Sequence, residues 1–358
     1  MPQKSEKKQH IYSLSFEELA LEVIAWNFQK YRASQIWDGL YRQMWYQPDQ
    51  FTNLPKAIRE SLSNHSDFLR LSPQNTINSK DTLTEKTLFR LTDGNFIETV
   101  LMLYENRQTI CVSTQSGCGM GCVFCASGQM GLKRNLSAGE IVEQTIFYAR
   151  FLKLRGKQIT NVVYMGMGEP FQNFDSVMKS IDILNDQNGF NLGQRRFTIS
   201  TVGLIPIIDE FASLKRQINL AISLHAPDDH LRSQLIPINQ KYGIDDLITA
   251  CRRYTKETGR RISFEYALIQ DINDSLDHAK ALAKSLKGLL CHVNLIRLNP
   301  SDQYSGNPSS NDSTNLFRNE ILRSGIPCSI RQRRGIEINA GCGQLAYRGI
   351  DQSSFKKQ

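Results

Sequence analysis

Apolar positions along this chain change their period twice. Between residues 15 and 65 they recur every three or four residues, as in Leu19, Ala20, Val23 and Ile24, and this predicts helices. Ser15 and Glu18 stand in capping-box relation before the first helix, and Asn53-Leu54-Pro55 opens another with proline in its first turn. Residues 66–82 lose the period and are rich in Ser, Asn, Asp and Thr around Pro73, which predicts a linker or irregular connection. Residues 87–91 and 96–104 then alternate about Asp93-Gly94, predicting a β-hairpin. From Thr109 onward, strand-like runs at 109–114, 159–165, 196–201, 217–224, 261–269, 291–298 and 327–332 alternate with helical patterns. The first of those helices is capped by Ser137 with Glu140, and others fit 173–186, 205–214, 243–257, 275–287 and 310–323. Such alternation specifies a parallel α/β domain, whose functional groups gather at the carboxyl ends of the strands.

A chain of 358 residues can bury one large core with a small satellite. The change of pattern near residue 80 divides it into a helical accessory domain (1–80), which Lys30 and Arg32 beside Tyr31 make a candidate for RNA binding, a larger α/β domain (81–350) and a polar tail (351–358). No apolar run reaches membrane-spanning length, and the basic start Met1 to Lys8 lacks the apolar segment of a secretory signal, so a cytoplasmic protein without a membrane partner is expected. All three tryptophans, Trp26, Trp37 and Trp45, fall in the helical region, where a core role is expected before stacking on RNA. The formal net charge of +8, with arginines paired at 195–196, 252–253 and 260–261 and grouped at 331–334, suits a phosphate-binding face and equally a solvated surface.

The chemistry concentrates in Cys118-Gly119-Met120-Gly121-Cys122-Val123-Phe124-Cys125. Three soft thiolates in one glycine-rich loop can wrap a zinc ion, or hold three irons of a cubane and leave the fourth open to a ligand. After this loop the next His is His225 and the next Cys is Cys251, so no fourth ligand follows at zinc-finger spacing. Polar groups end several other predicted strands: Gly168 and Glu169 in Gly166-Met167-Gly168-Glu169-Pro170, then Ser200, Ser223-Leu224-His225 and Asn299. Glu98 sits in the second hairpin strand, where an exposed acid is the default. Glycines flank Cys342 closely, as suits a loop presenting its sulfur to a site.

Taken in order, the cysteine loop, Gly-Met-Gly-Glu-Pro, Ser-Leu-His, Leu298-Asn299-Pro300 and Gly341-Cys342-Gly343-Gln344-Leu345 resemble the RlmN/Cfr family of radical S-adenosylmethionine (radical SAM) RNA methyltransferases, from about Tyr31 to Leu345. The resemblance implies a partial (βα)6 barrel with a small N-terminal helical accessory domain. It implies that Cys118, Cys122 and Cys125 hold a [4Fe-4S] cluster, and that Gly168, Glu169, Ser200, Ser223, Leu224, His225 and Asn299 contact S-adenosylmethionine. By the same resemblance Cys342 is methylated first, Glu98 accepts a proton, and Cys111 resolves the enzyme–RNA adduct as a disulfide. The implied substrates are C2 of an adenosine in 23S rRNA at the peptidyl-transferase centre and the adenosine 3′ to the anticodon in tRNAs. A monomer served by flavodoxin or ferredoxin as electron donor is expected. Arg297 stands where RlmN members often have proline and Cfr members arginine, and Asn339-Ala340-Gly341 replaces a frequent Asp-Ala-Ala, so C8 methylation is the alternative. From a different class, the same cysteines and charge allow a zinc-stabilised RNA-binding protein without catalysis.

Overall fold

A computed structural model describes residues 8–299, 301 and 304–346. Pro300 and the expected tail 351–358 lie outside the described residues. Ten strands lie side by side in chain order: β1 (Leu71–Asn78), β2 (Thr84–Leu91), β3 (Phe96–Tyr104), β4 (Arg107–Cys111), β5 (Asn161–Tyr164), β6 (Phe197–Thr201), β7 (Asn219–Ser223), β8 (Ile262–Leu268), β9 (Cys291–Arg297) and β10 (Cys328–Ile330). β1 to β4 pair antiparallel, whereas β4 to β10 are parallel.

Three helices precede the sheet: α1 (Phe16–Ala25), α2 (Tyr31–Asp38) and α3 (Lys56–His65). Between the parallel strands run α4 (Ala138–Lys153), α5 (Phe174–Asn185), α6 (Ile205–Ser213), α7 (Asp229–Leu235) with α8 (Ile244–Thr258), α9 (Leu276–Leu286) and α10 (Asn311–Arg323). Six strand–helix units followed by a seventh parallel strand make the expected partial (βα)6 barrel, and both capping boxes form. Among the described residues, no helix is long and apolar enough to cross a membrane.

Residues 66–82 depart from the expected irregular connection. Ser66–Asp67 pairs with Gln9–His10, and β1 forms the sheet edge. Most of β1 is exposed, so no alternation marks it, and Pro73 sits at a register break where an edge strand tolerates a missing donor. The N-terminal helices share one continuous core with the barrel. Trp37 is buried and donates to Asp186 at 3.2 Å, and Trp26 and Trp45 pack at the border of that core, in line with their expected core role. Gly139 lets α4 meet Ser13, because a Cβ there would stand 2.3 Å from the Ser13 hydroxyl. Beside it, buried His10 and Glu143 approach to 3.1 Å.

The barrel does not close between β10 and the hairpin. Residues 331–346 cross that gap, tied by Lys86 Nζ to the Asn339 carbonyl at 3.2 Å and by the Ala346 amide to Glu98 at 3.0 Å. Their inner end lies on the cysteine loop, where the Ala126 amide donates to the Gly343 carbonyl at 2.8 Å and Ser127 donates to the Leu345 carbonyl.

Candidate active site

The cysteine loop leaves the carboxyl end of β4 and is pinched at its base. Leu136 donates to the Thr114 carbonyl at 3.0 Å, and Asn173 Nδ2 reaches both the Thr114 and Leu136 carbonyls, at 2.9 and 2.8 Å. Gly117, at φ 73°, is required by packing as well as conformation, because a Cβ would fall 1.9 Å from the Gly131 carbonyl oxygen. Cys118, Cys122 and Cys125 all line one cleft of about 1050 Å³, including its open mouth. Burial pushes the Cys118 thiol up to about 12, Cys122 well above its ordinary value, and Cys125 upward. Ionising three such thiols together calls for a multivalent cation. Among the described residues, no three His, Cys, Asp or Glu side chains are grouped to hold a single ion. A cubane takes each thiolate on a different iron, so three thiols around one cleft suit it.

Gly168, Glu169, Ser200, Ser223, His225 and Asn299 line the same cleft. Leu224 takes part through its backbone, with its amide donating to the Glu265 carbonyl at 3.0 Å and its side chain fully buried. Gly168 has φ 102°, and a Cβ would meet Gln115 Cβ at 2.6 Å. The Glu169 carboxylate accepts from the Phe171 and Val202 amides at 3.0 and 2.9 Å, while burial raises its pKa to about 7. His225 Nδ1 accepts from the Ala267 amide at 2.9 Å. Burial first, and the Arg232 charge second, lower the His225 pKa to about 3, so the ring is neutral with its proton on Nε2. Ser200 and Ser223 hydroxyls stand 3.3 Å apart. These groups form an acidic point, a pair of hydroxyls and an imidazole donor around one concave site.

Cys342 is exposed and lines both this cleft and a smaller cavity shared with Cys111 and Arg331. Burial, then Cys342, push the Cys111 thiol up to about 12, against a lowering by Arg331. Asn299 donates to the Cys342 carbonyl at 3.0 Å and thereby fixes the loop. All eight cysteines are free, so the disulfide expected between Cys111 and Cys342 during turnover is not formed here. Glu98 departs from the default of an exposed acid: it is buried, pairs with Lys86 at 2.7 Å, and holds the Ala346 amide beneath the Cys342 loop.

Two arginines gain roles that charge patterning did not give them. Arg232 is fully buried and donates to the carbonyls of Leu224 (3.1 Å), Val202 (2.6 Å) and Ser223 (3.2 Å) and to Asn239 Oδ1 (2.8 Å). It clamps the loops after β6 and β7 from beneath. Its signal was its place between Leu231 and Leu235, on the inward face of α7. Arg331 lies 3.5 Å from Glu265 and beside both Cys111 and Cys342.

Residues 112–283 match the Radical SAM superfamily. A probable dual-specificity RNA methyltransferase RlmN of Chloroflexus aurantiacus is 46% identical, over 94% of this chain and 93% of its own length. Dual-specificity RNA methyltransferase RlmN 1 of Myxococcus xanthus is 42% identical, over 95% of both. The crystal structure of a radical SAM methyltransferase from Sphaerobacter thermophilus superposes with TM-score 0.93 at 48% identity, covering 94% of this chain and 99% of that one. In sequence and in fold, therefore, the chain belongs to the RlmN family of radical SAM methyltransferases.

Proposed function

We propose that this protein is an S-adenosylmethionine-dependent RNA methyltransferase acting on C2 of an adenosine in 23S rRNA and of the adenosine 3′ to the anticodon in tRNAs. The observation that carries the reading is the position of Cys342 between two joined cavities, one lined by Cys118, Cys122 and Cys125, the other by Cys111. The dual specificity named for the relatives supports two kinds of RNA substrate. Arg297, which left C8 open, donates to the Ser309 carbonyl and Asn311 Oδ1, both at 2.6 Å, and lines neither cavity; this favours C2.

Cys118, Cys122 and Cys125 would hold a [4Fe-4S] cluster, which, reduced by a flavodoxin or ferredoxin, would supply the electron for reductive cleavage of S-adenosylmethionine to methionine and a 5′-deoxyadenosyl radical. The Glu169 carboxylate holds the cofactor's ammonium, and the Ser200 and Ser223 hydroxyls and His225 Nε2–H meet its acceptor atoms. Cys342 carries the methyl group; loss of one of its hydrogen atoms to the 5′-deoxyadenosyl radical would leave a carbon radical that bonds to the ring carbon, and Asn299 keeps the loop over the cleft. Glu98, held by Lys86 and the Ala346 amide, would accept the ring proton, and the unpaired electron left on the adduct would pass to the oxidised cluster. The Cys111 thiolate then attacks the Cys342 sulfur. The sulfur–sulfur bond forms as the sulfur–carbon bond breaks, and the carbon keeps the electron pair and takes a proton as the new methyl group. Arg331 favours the attacking thiolate. Residues 1–80 are proposed to add RNA contacts, with Arg32 stacked on exposed Tyr31 at 4.6 Å.

Three variants test the reading by mass spectrometry and denaturing gels. Cys342→Ala should lack protein-bound methyl and leave RNA unmodified; Cys111→Ala should stay covalently joined to RNA; Cys251→Ala should match wild type. Free turnover by Cys111→Ala, or any RNA methylation by Cys342→Ala, refutes it.

A further inference from the structure

We propose that the target nucleotide enters through the arginine-rimmed opening at the amino ends of the parallel strands, where Arg195 and Arg260 hold RNA phosphate. This rests on the RNA methyltransferase reading above. A cavity of about 2150 Å³, including its open mouth, lies at that end of the barrel, opposite the cleft of the cysteine loop. The interior of a strand–helix barrel is ordinarily filled with branched apolar side chains. Here each of the seven parallel strands sends a polar residue into the cavity, from Thr109 on β4 to Ser329 on β10, so its walls suit a hydrated, polar guest.

The rim is charged, and its charge is not neutralised. Arg107, Arg195, Arg260 and Arg261 line the mouth, and among the described residues none of them pairs with a carboxylate. The single acid of the lining, Glu265, is turned to Arg331. Neutral amides position the guanidiniums instead: Arg260 donates to Gln217 Oε1 and Asn219 Oδ1, both at 2.8 Å, and Arg195 reaches the same Gln217 oxygen at 3.4 Å. Among the described residues, Arg260 Nε makes no hydrogen bond. Some arginines elsewhere are neutralised, as Arg216 is by Asp182 and Arg253 by Asp209. A cluster of uncompensated, oriented guanidiniums is the chemistry that recognises phosphodiesters.

The opening leads to the reacting sulfur. Tyr104, Met165 and Arg331 line both this cavity and the one that holds Cys111 and Cys342. The guanidiniums of Arg107 and Arg334 lie over the Tyr104 ring, 4.2 and 4.4 Å from its centre. Flat cationic and aromatic groups are the usual stacking platform for an unstacked base, so Tyr104 marks the passage from rim to interior. Base and cofactor then approach Cys342 from opposite ends of the barrel, and neither has to leave for the other to enter.

The test uses the cluster-loaded protein with Arg195→Ala, Arg260→Ala, both together, and Arg253→Ala as the control. RNA methylation is followed against salt, and methylation of Cys342 is followed separately. The double variant should lose at least tenfold in kcat/KM at about 0.1 M salt, and its log–log salt dependence should flatten by about 1.4, about 0.7 for each single-strand phosphate contact removed. Methylation of Cys342 should be retained, and Arg195→Lys with Arg260→Lys should restore the slope. Should Arg260→Ala misfold through loss of its Asn219 contact, Arg195→Ala alone should still flatten the slope by about half as much. Unchanged kcat/KM and slope in these variants, beside an active wild type, overturn the entry route and leave the methyltransferase reading standing. A wild type that methylates Cys342 but no RNA overturns the reading itself.

Discussion

Replacing Glu169 by glutamine separates the cost of burying a carboxylate from the value of its hydrogen bonds. In the folded protein burial holds its pKa at about 7 against an ordinary 4.5, although Thr201, Val202 and Phe171 offset part of the rise. A folded-state pKa above the unfolded one means that the native state binds the proton more tightly. The associated stability is complete below the ordinary value and is lost as pH rises through about 7. A rise of that size corresponds to about 3 kcal/mol. Glutamine stays neutral and so removes the pH-dependent loss, but it can accept from only one of the two amides that the carboxylate now satisfies. That second effect costs about 1–3 kcal/mol and does not vary with pH. Denaturant unfolding of cluster-free protein should therefore find Glu169→Gln less stable than wild type near pH 4. The difference should shift in the variant's favour by about 3 kcal/mol near pH 9. A shift below about 1 kcal/mol would show that burial does not control this carboxyl. In the loaded enzyme, wild-type affinity for S-adenosylmethionine should fall about tenfold from its plateau at pH 6, where about one carboxyl in ten is ionised, and the variant should bind weakly at every pH.

Two further outcomes follow from measured contacts. Gly168→Ala meets both a φ of 102° and a Cβ position 2.6 Å from Gln115, so it should weaken S-adenosylmethionine binding at least tenfold while iron content stays at about four per chain, by titration and metal analysis; unchanged affinity would refute the close approach. Because the Cys111 thiol is held near 12, release of RNA from the protein adduct in a single turnover should speed up about tenfold per pH unit between pH 7 and 9, and Arg331→Gln should slow it; a pH-independent release would show that thiolate formation is not limiting.

What the chain disclosed in advance divides along physical lines. Period and caps placed the barrel strands, and every barrel helix but the short α7, within a few residues, because each element buries one face and Ser15 and Ser137 start their helices locally. β1 escaped because an edge strand exposed along most of its length has no apolar face to betray it. The three cysteines, Glu169 and the Ser223-Leu224-His225 turn were visible as motifs, and the fold brings them to one cleft. Arg232, Arg331 and the buried state of Glu98 were not visible. Charge reads as solvent exposure until the carbonyls, thiols or lysine that receive it are seen, and those partners lie on other elements.

The segment that spans the barrel's gap is also the last described part of the chain to be synthesised. The cysteine loop, Glu169 and the strands around them are complete long before Cys342 leaves the ribosome, and Gly343 and Leu345 then settle directly on Ala126 and Ser127. On the proposed mechanism, acquisition of iron and acquisition of methyl-carrying competence are thus separable events in the life of the molecule. A chain cut short by a late stop codon keeps all three thiols proposed to hold the cluster and lacks the sulfur proposed to carry the methyl group.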